Sequence, residues 1–153
     1  MRWTGPDERR PLSQKGHRQA EAVARHLAGL HLDIAAIVSS PKLRAIETAE
    51  PVASSLGRPI VVDDRLGGGL QIADLEAMLA DLGDPGRVII VGHDPDFSAL
   101  VADLAGAASI PMRKGALARL DAARPLSAGS AILRWLLPPD ALETVGRDDD
   151  GAG

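Results

Sequence analysis

Apolar side chains recur at helical spacing between Ser13 and Leu30, where Ala20, Val23, Ala24, Leu27 and Leu30 share one face. Ser13 is placed to cap the start of that helix. The run Ile34 to Ser39 is too short for a helix and suits a buried strand. Ser40-Pro41 then opens a second helix, with Ser as N-cap and Pro at the first helical position. It runs to about Leu56 and stops at Gly57, and Pro51 is expected to kink or split it. Pro59 to Val62 reads as a second strand and Asp63 to Leu70 as a loop. Leu75, Met78, Leu79 and Leu82 mark a third helix ended by Gly83. Arg87 to Val91 is the clearest buried strand. Asp94-Pro95 begins a fourth helix reaching about Ala105. Ala116 to Asp121 and Ser130 to Leu137 read as two strands of a hairpin, joined through a turn at Ser127-Ala128-Gly129. A helical turn is expected over Asp140 to Val145, with a disordered tail at 146–153 carrying the acidic run Asp148-Asp149-Asp150. Strands alternating with helices predict one domain over 1–145, a three-layer α/β/α arrangement with an open, mainly parallel sheet.

Composition narrows the chemistry. Apolar residues make up 45% of the 153 positions and aromatic ones only 2%, so the core is aliphatic and no ring platform for stacking bases exists. The formal net charge is −4 without a basic stripe, which argues against nucleic acid as partner. Cysteine is absent, which removes disulfides, thiolate nucleophiles and cysteine-based metal sites and agrees with a cytoplasmic setting. No apolar run reaches the roughly 20 residues of a membrane span, and the first residues lack a signal-peptide core.

In an open parallel sheet, ligands bind beyond the carboxyl ends of the strands. Two such ends carry chemistry. Arg44 falls in the first turn of the helix that follows Ile34 to Ser39, where free amides and the helix dipole favour an anion and a guanidinium adds a planar fork for two phosphate oxygens. The alternative is a surface arginine in a local salt bridge. His93 follows the strand Arg87 to Val91, where an imidazole is able to hydrogen-bond an oxyanion, while Gly92 leaves room for a ligand. The alternative is a histidine tied to a loop carbonyl. His17, His26 and His31 lack the spacing of a metal site and read as solvated. Gly67-Gly68-Gly69 matches no phosphate-loop fingerprint and reads as a loop at the rim of the site.

The segments Arg10-Pro11-Leu12-Ser13 with Gly16 and Gln19-Ala20-Glu21-Ala22, Ser39-Ser40-Pro41 with Arg44, Thr48 and Ala49, and Val91-Gly92-His93 resemble, in order, those of the histidine phosphatase superfamily. Lys114 to Leu120 and Leu133 to Pro139 are similar to the C-terminal region of its SixA-like members. The resemblance implies a small cytoplasmic phosphatase for phosphohistidine or another phosphorylated target. Two arginines and two histidines would surround the phosphate, and one histidine would attack phosphorus. Arg44 would be the second arginine and His93 the second histidine, serving as catalytic and substrate-binding residues. No metal or organic cofactor is implied, no membrane partner is implied, and no oligomeric state is specified.

One family feature has no counterpart. The first family strand, which lies inside the sheet and ends in Arg-His-Gly or Arg-His-Ala, bears the nucleophile. Met1-Arg2-Trp3 already corresponds to the loop after it, and His17 lies too far along to replace it. Its absence removes three or four buried aliphatic side chains at about 1.5–3 kcal/mol each, roughly 5–10 kcal/mol in all, and leaves two sheet edges unpaired. That sum rivals the stability of a typical domain. The expectation is therefore a gap filled by rearrangement or by a partner. Three readings follow. The strand precedes Met1 in the natural product and the protein is a phosphatase, or the chain is an inactive module that binds phosphorylated ligands, or it is an unrelated α/β domain.

Overall fold

The computed structural model describes residues 3–143. The predicted tail and the end of the expected terminal turn lie outside them, and residues 139–143 are helical. Four helices, α1 (Gln14–Gly29), α2 (Leu43–Leu56), α3 (Ile72–Asp81) and α4 (Asp96–Ala105), alternate with strands β1 (Ala36–Ser39), β2 (Ile60–Val62) and β3 (Val88–Val91), and a hairpin of β4 (Leu117–Ala122) and β5 (Ala131–Leu137) follows.

The first three strands form a parallel sheet in the order β2-β1-β3. Neighbouring residues of a strand face opposite sides. Ile37 accordingly packs among α1 and α2 residues, and Val38 among those of α3 and α4, both fully buried. This is the expected three-layer α/β/α arrangement. The antiparallel pair β4-β5 is a separate sheet that shares no strand hydrogen bonds with the first.

Local signals explain most boundaries. The Ser13 side chain accepts from the Gly16 amide at 3.0 Å and caps α1. Gly57 closes α2 at φ 65°, in the left-handed region open to glycine. The expected start of α2 at Pro41 is corrected to Leu43, with Lys42 at the N-cap. Ser40 Oγ accepts from the Lys42 amide at 3.2 Å, so the serine closes a turn before the helix instead of capping it. Pro51 does not split α2, which is continuous to Leu56.

The expectation for β3 is also corrected. All four of its residues are only partly buried. Among the described residues it pairs with β1 on one side alone, and β4 pairs only with β5. Both strands line one cavity of about 2440 Å³, together with Val23 and Leu27 of α1, Leu79 of α3 and Leu104 of α4. Its volume exceeds the roughly 300–1,000 Å³ of ordinary ligand pockets. Protein interiors pack without such voids. The aliphatic surface and the two unpaired strand edges thus form a slot, and no rearrangement within the described residues closes it.

Candidate active site

The carboxyl ends of β1 and β3 are knitted together. Ser40 donates its amide to the Val91 carbonyl at 2.9 Å, and Asp63 donates to Ser39 at 3.0 Å. Ser39 and Ser40 are fully buried there. From this platform α2 leaves with Arg44 in its first turn, and the loop after β3 presents His93. Both line the same cavity, at which His93 is the one histidine among the described lining residues.

Arg44 is engaged by a residue 37 positions earlier. Its Nη1 donates to the Asp7 carbonyl at 3.0 Å and its Nη2 to Asp7 Oδ2 at 3.2 Å. Lys42 Nζ stands 3.7 Å from the same carboxylate and Arg10 Nη2 3.5 Å from its other oxygen. Partial desolvation works to raise the Asp7 pKa. The charge and hydrogen bond of Arg44, with Arg10 and Lys42, outweigh it and hold the carboxyl below its usual value. Arg10 Nε is buried without an acceptor among the described residues. Thus the local salt bridge weighed for Arg44 exists, and it is made inside a cluster of three cations.

His93 Nε2 lies 3.1 Å from the carbonyl of Leu66. A carbonyl only accepts, so Nε2 carries the proton and Nδ1 of the neutral ring holds the lone pair. The loop-carbonyl alternative is therefore realised, and it fixes the tautomer. Burial, then the positive charges of Lys42 and Arg44, push the His93 pKa below its ordinary value, against the opposing pull of Asp96 and Asp7. His93, Arg44 and Lys42 thus share one electrostatic neighbourhood.

Gly92 serves a purpose other than ligand access. A Cβ there would lie 2.5 Å from the Phe97 ring, so the glycine makes room for that ring in the first turn of α4. The glycine-rich loop does border the site, through the Leu66 carbonyl immediately before Gly67. Glu47 on α2 accepts from the Leu12 amide at 3.0 Å and lies 3.5 Å from His17, fixing the segment that carries Arg10. His17 is therefore paired as well as half-exposed. Asp7, Lys42, Glu47 and the Leu66 carbonyl were not singled out from the sequence. Only the closeness of Lys42 to Arg44 offered a signal.

The model of the histidine phosphatase superfamily (branch 1) matches residues 2–68, a stretch that includes Arg10 and Arg44. Together with the fold, this makes the chain similar to members of that superfamily. Among them, the chain is similar to the protein histidine phosphatase SixA, whose structure was solved with tungstate, at 26% identity over 92% of this chain and 91% of that one, with a TM-score of 0.80. A 2,3-bisphosphoglycerate-dependent phosphoglycerate mutase of Thermoplasma acidophilum is 46% identical over 55 residues, 36% of this chain and 26% of the mutase. An uncharacterized protein of Picosynechococcus sp. is 34% identical over 93 residues, 59% of this chain and 56% of that protein. The chain thus spans about a quarter to just over half of these curated relatives.

Proposed function

We propose that the chain is the body of a SixA-like phosphatase that hydrolyses phosphohistidine or a small phosphorylated substrate through a phosphohistidine intermediate. Arg44 binds the phosphoryl oxygens through its fork, and His93 supplies a second contact to them. The attacking histidine belongs to an apolar strand seated in the slot beside β3. One observation carries this reading: Arg44 and His93 line a cavity that is also lined by two strands, β3 and β4, each with an unpaired edge. Tungstate in the SixA relative is a tetrahedral oxyanion of the kind such a site takes. A parallel neighbour of β3 would end beside Gly92 and His93, which follow that strand and line the same cavity.

In the reaction, the incoming imidazole attacks phosphorus, and the leaving group departs with the electron pair of its bond to phosphorus, a P–N bond in phosphohistidine and a P–O bond in a phosphate ester. Water then attacks the phosphoimidazole, releasing phosphate and restoring the ring. Arg44 offsets the charge on the equatorial oxygens in both steps. His93 protonated at both nitrogens would donate from Nδ1, while Nε2 stays on Leu66.

A second reading is favoured by the lack of another histidine among the described lining residues: the chain binds phosphorylated ligands without turning them over. Turnover of a phosphohistidine peptide and of p-nitrophenyl phosphate separates the two. The experiment compares this chain with one in which an apolar strand ending in Arg-His-Gly precedes Met1. The first reading predicts turnover by the extended chain and its loss when the added histidine is alanine. Phosphate binding with no turnover by either chain establishes the second.

A further inference from the structure

The acidic residue on Arg44 has a place in the chemistry. Asp7 Oδ2 lies 3.2 Å from Arg44 and 3.7 Å from Lys42, and Oδ1 lies 3.5 Å from Arg10. Three formal positive charges converge on one carboxylate, which leaves the cluster short of negative charge. The carboxylate makes the contacts that an oxyanion would make. It is also the most exposed member, at 56%, whereas the Lys42 and Arg44 side chains are each 21% exposed. Asp7 stands on a three-residue 3-10 turn that buries none of its residues, so its departure disturbs no core packing. Arg10 brings a buried Nε–H that has no acceptor among the described residues.

We propose that Asp7 is the resident anion of the site: its carboxylate fills the Arg10–Lys42–Arg44 cluster in the free protein and is displaced by the phosphoryl group of the substrate, which Lys42 and Arg10 then bind together with Arg44. The inference rests on the reading of Arg44 as a phosphate ligand. A phosphoryl dianion carries more charge and more acceptor oxygens than one carboxylate, so the exchange favours it on a cluster of this charge. The affinity for phosphate is then the difference between two occupants of the same cations. Asp7 sets a threshold that excludes weakly charged ligands.

Calorimetric titration of the whole chain with inorganic phosphate tests this. Asp7→Asn keeps the size of the side chain and removes the charge, and it is expected to tighten phosphate binding about fivefold, the scale of one partly exposed ion pair. Adding Lys42→Gln to Asp7→Asn is expected to reverse much of that gain. In the unsubstituted chain the carbon resonance of the Asp7 carboxyl should move as phosphate saturates the site. Phosphate binding that Asp7→Asn leaves equal or weaker, or that leaves the Asp7 resonance in place, overturns the displacement and keeps Arg44 as a phosphate ligand. No binding by either chain overturns the phosphate site and the displacement with it.

Discussion

The hydrogen bond from His93 to the Leu66 carbonyl fixes which ring nitrogen keeps its lone pair, and the surroundings of the ring favour its neutral form. Burial and the neighbouring Lys42 and Arg44 favour the neutral ring, so its pKa falls below the ordinary 6.5. Below pH 6.5 the unfolded chain therefore binds a proton that the folded chain resists. Stability contributed by this group is present above that pH and is lost as pH falls from it toward the depressed value. Proton NMR should find the His93 ring titrating below 6.5. Lys42→Gln, which deletes one cation, should move that titration upward, and an unchanged midpoint would remove Lys42 from the site. Gly92 gives a second expectation. Gly92→Ala drives a methyl into the Phe97 ring and should cost about 1–3 kcal/mol in denaturant unfolding, with recovery when Phe97 is also shortened to Leu. Arg44 and His93 were legible in the sequence because a strand end followed by a helix start is a local pattern. Asp7 was not, since it meets Arg44 from 37 residues away. The Leu66 carbonyl is a backbone atom and leaves no trace in residue type.

Among the elements, the β4–β5 hairpin is held without strand pairing to the parallel sheet, so its attachment lies elsewhere. Arg124, after β4, donates to both oxygens of Glu76 on α3 and to Asp84 at 2.9 Å. Glu76 also accepts from the Leu126 amide at 2.9 Å. At the other end of the loop, Gly129 donates to the Asp103 carbonyl on α4 at 2.9 Å. These bonds moor the hairpin loop to the helices of one face. Chiefly through Arg124, then through the Leu126 amide, Glu76 is held below its ordinary 4.5. The mooring is thus complete above that pH and is lost as acid protonates the carboxyl. Glu76→Gln should speed hydrogen exchange of the Leu126 amide severalfold while the amides paired between β1 and β3 keep their protection. Equal change in both places would mean that the substitution acts on the whole fold. The strands and helices themselves were readable from apolar periodicity. The start of α2 was not, because Ser40 satisfies a turn hydrogen bond as readily as a cap.

At the scale of the whole molecule, the slot decides how the pieces hold together. The sequence shows β3 as a continuous aliphatic run, and such runs normally lie between two neighbours in a parallel sheet. Among the described residues only β1 is beside it, and the other edge lines the cavity of about 2440 Å³. Periodicity identifies a strand that wants burial but cannot say whether its neighbour is present, which is why β3 is more exposed than its sequence predicts. The opened edge carries unpaired amides and carbonyls on β3 and β4. A strand entering there would satisfy both edges and cover the aliphatic lining. Three or four buried aliphatic side chains would contribute roughly 5–10 kcal/mol. At about 2–4 °C per kcal/mol for a chain of this length, the thermal midpoint should rise by at least about 10 °C when an apolar strand is joined ahead of Met1. The same segment with its inward positions changed to serine should give no rise, since it pairs backbone but buries nothing apolar. Calorimetric scans of the three chains, read beside the binding of a dye that reports exposed apolar surface, check this. Equal midpoints in all three would mean that the slot is not a strand site, and the proposed source of an attacking histidine would fall with it.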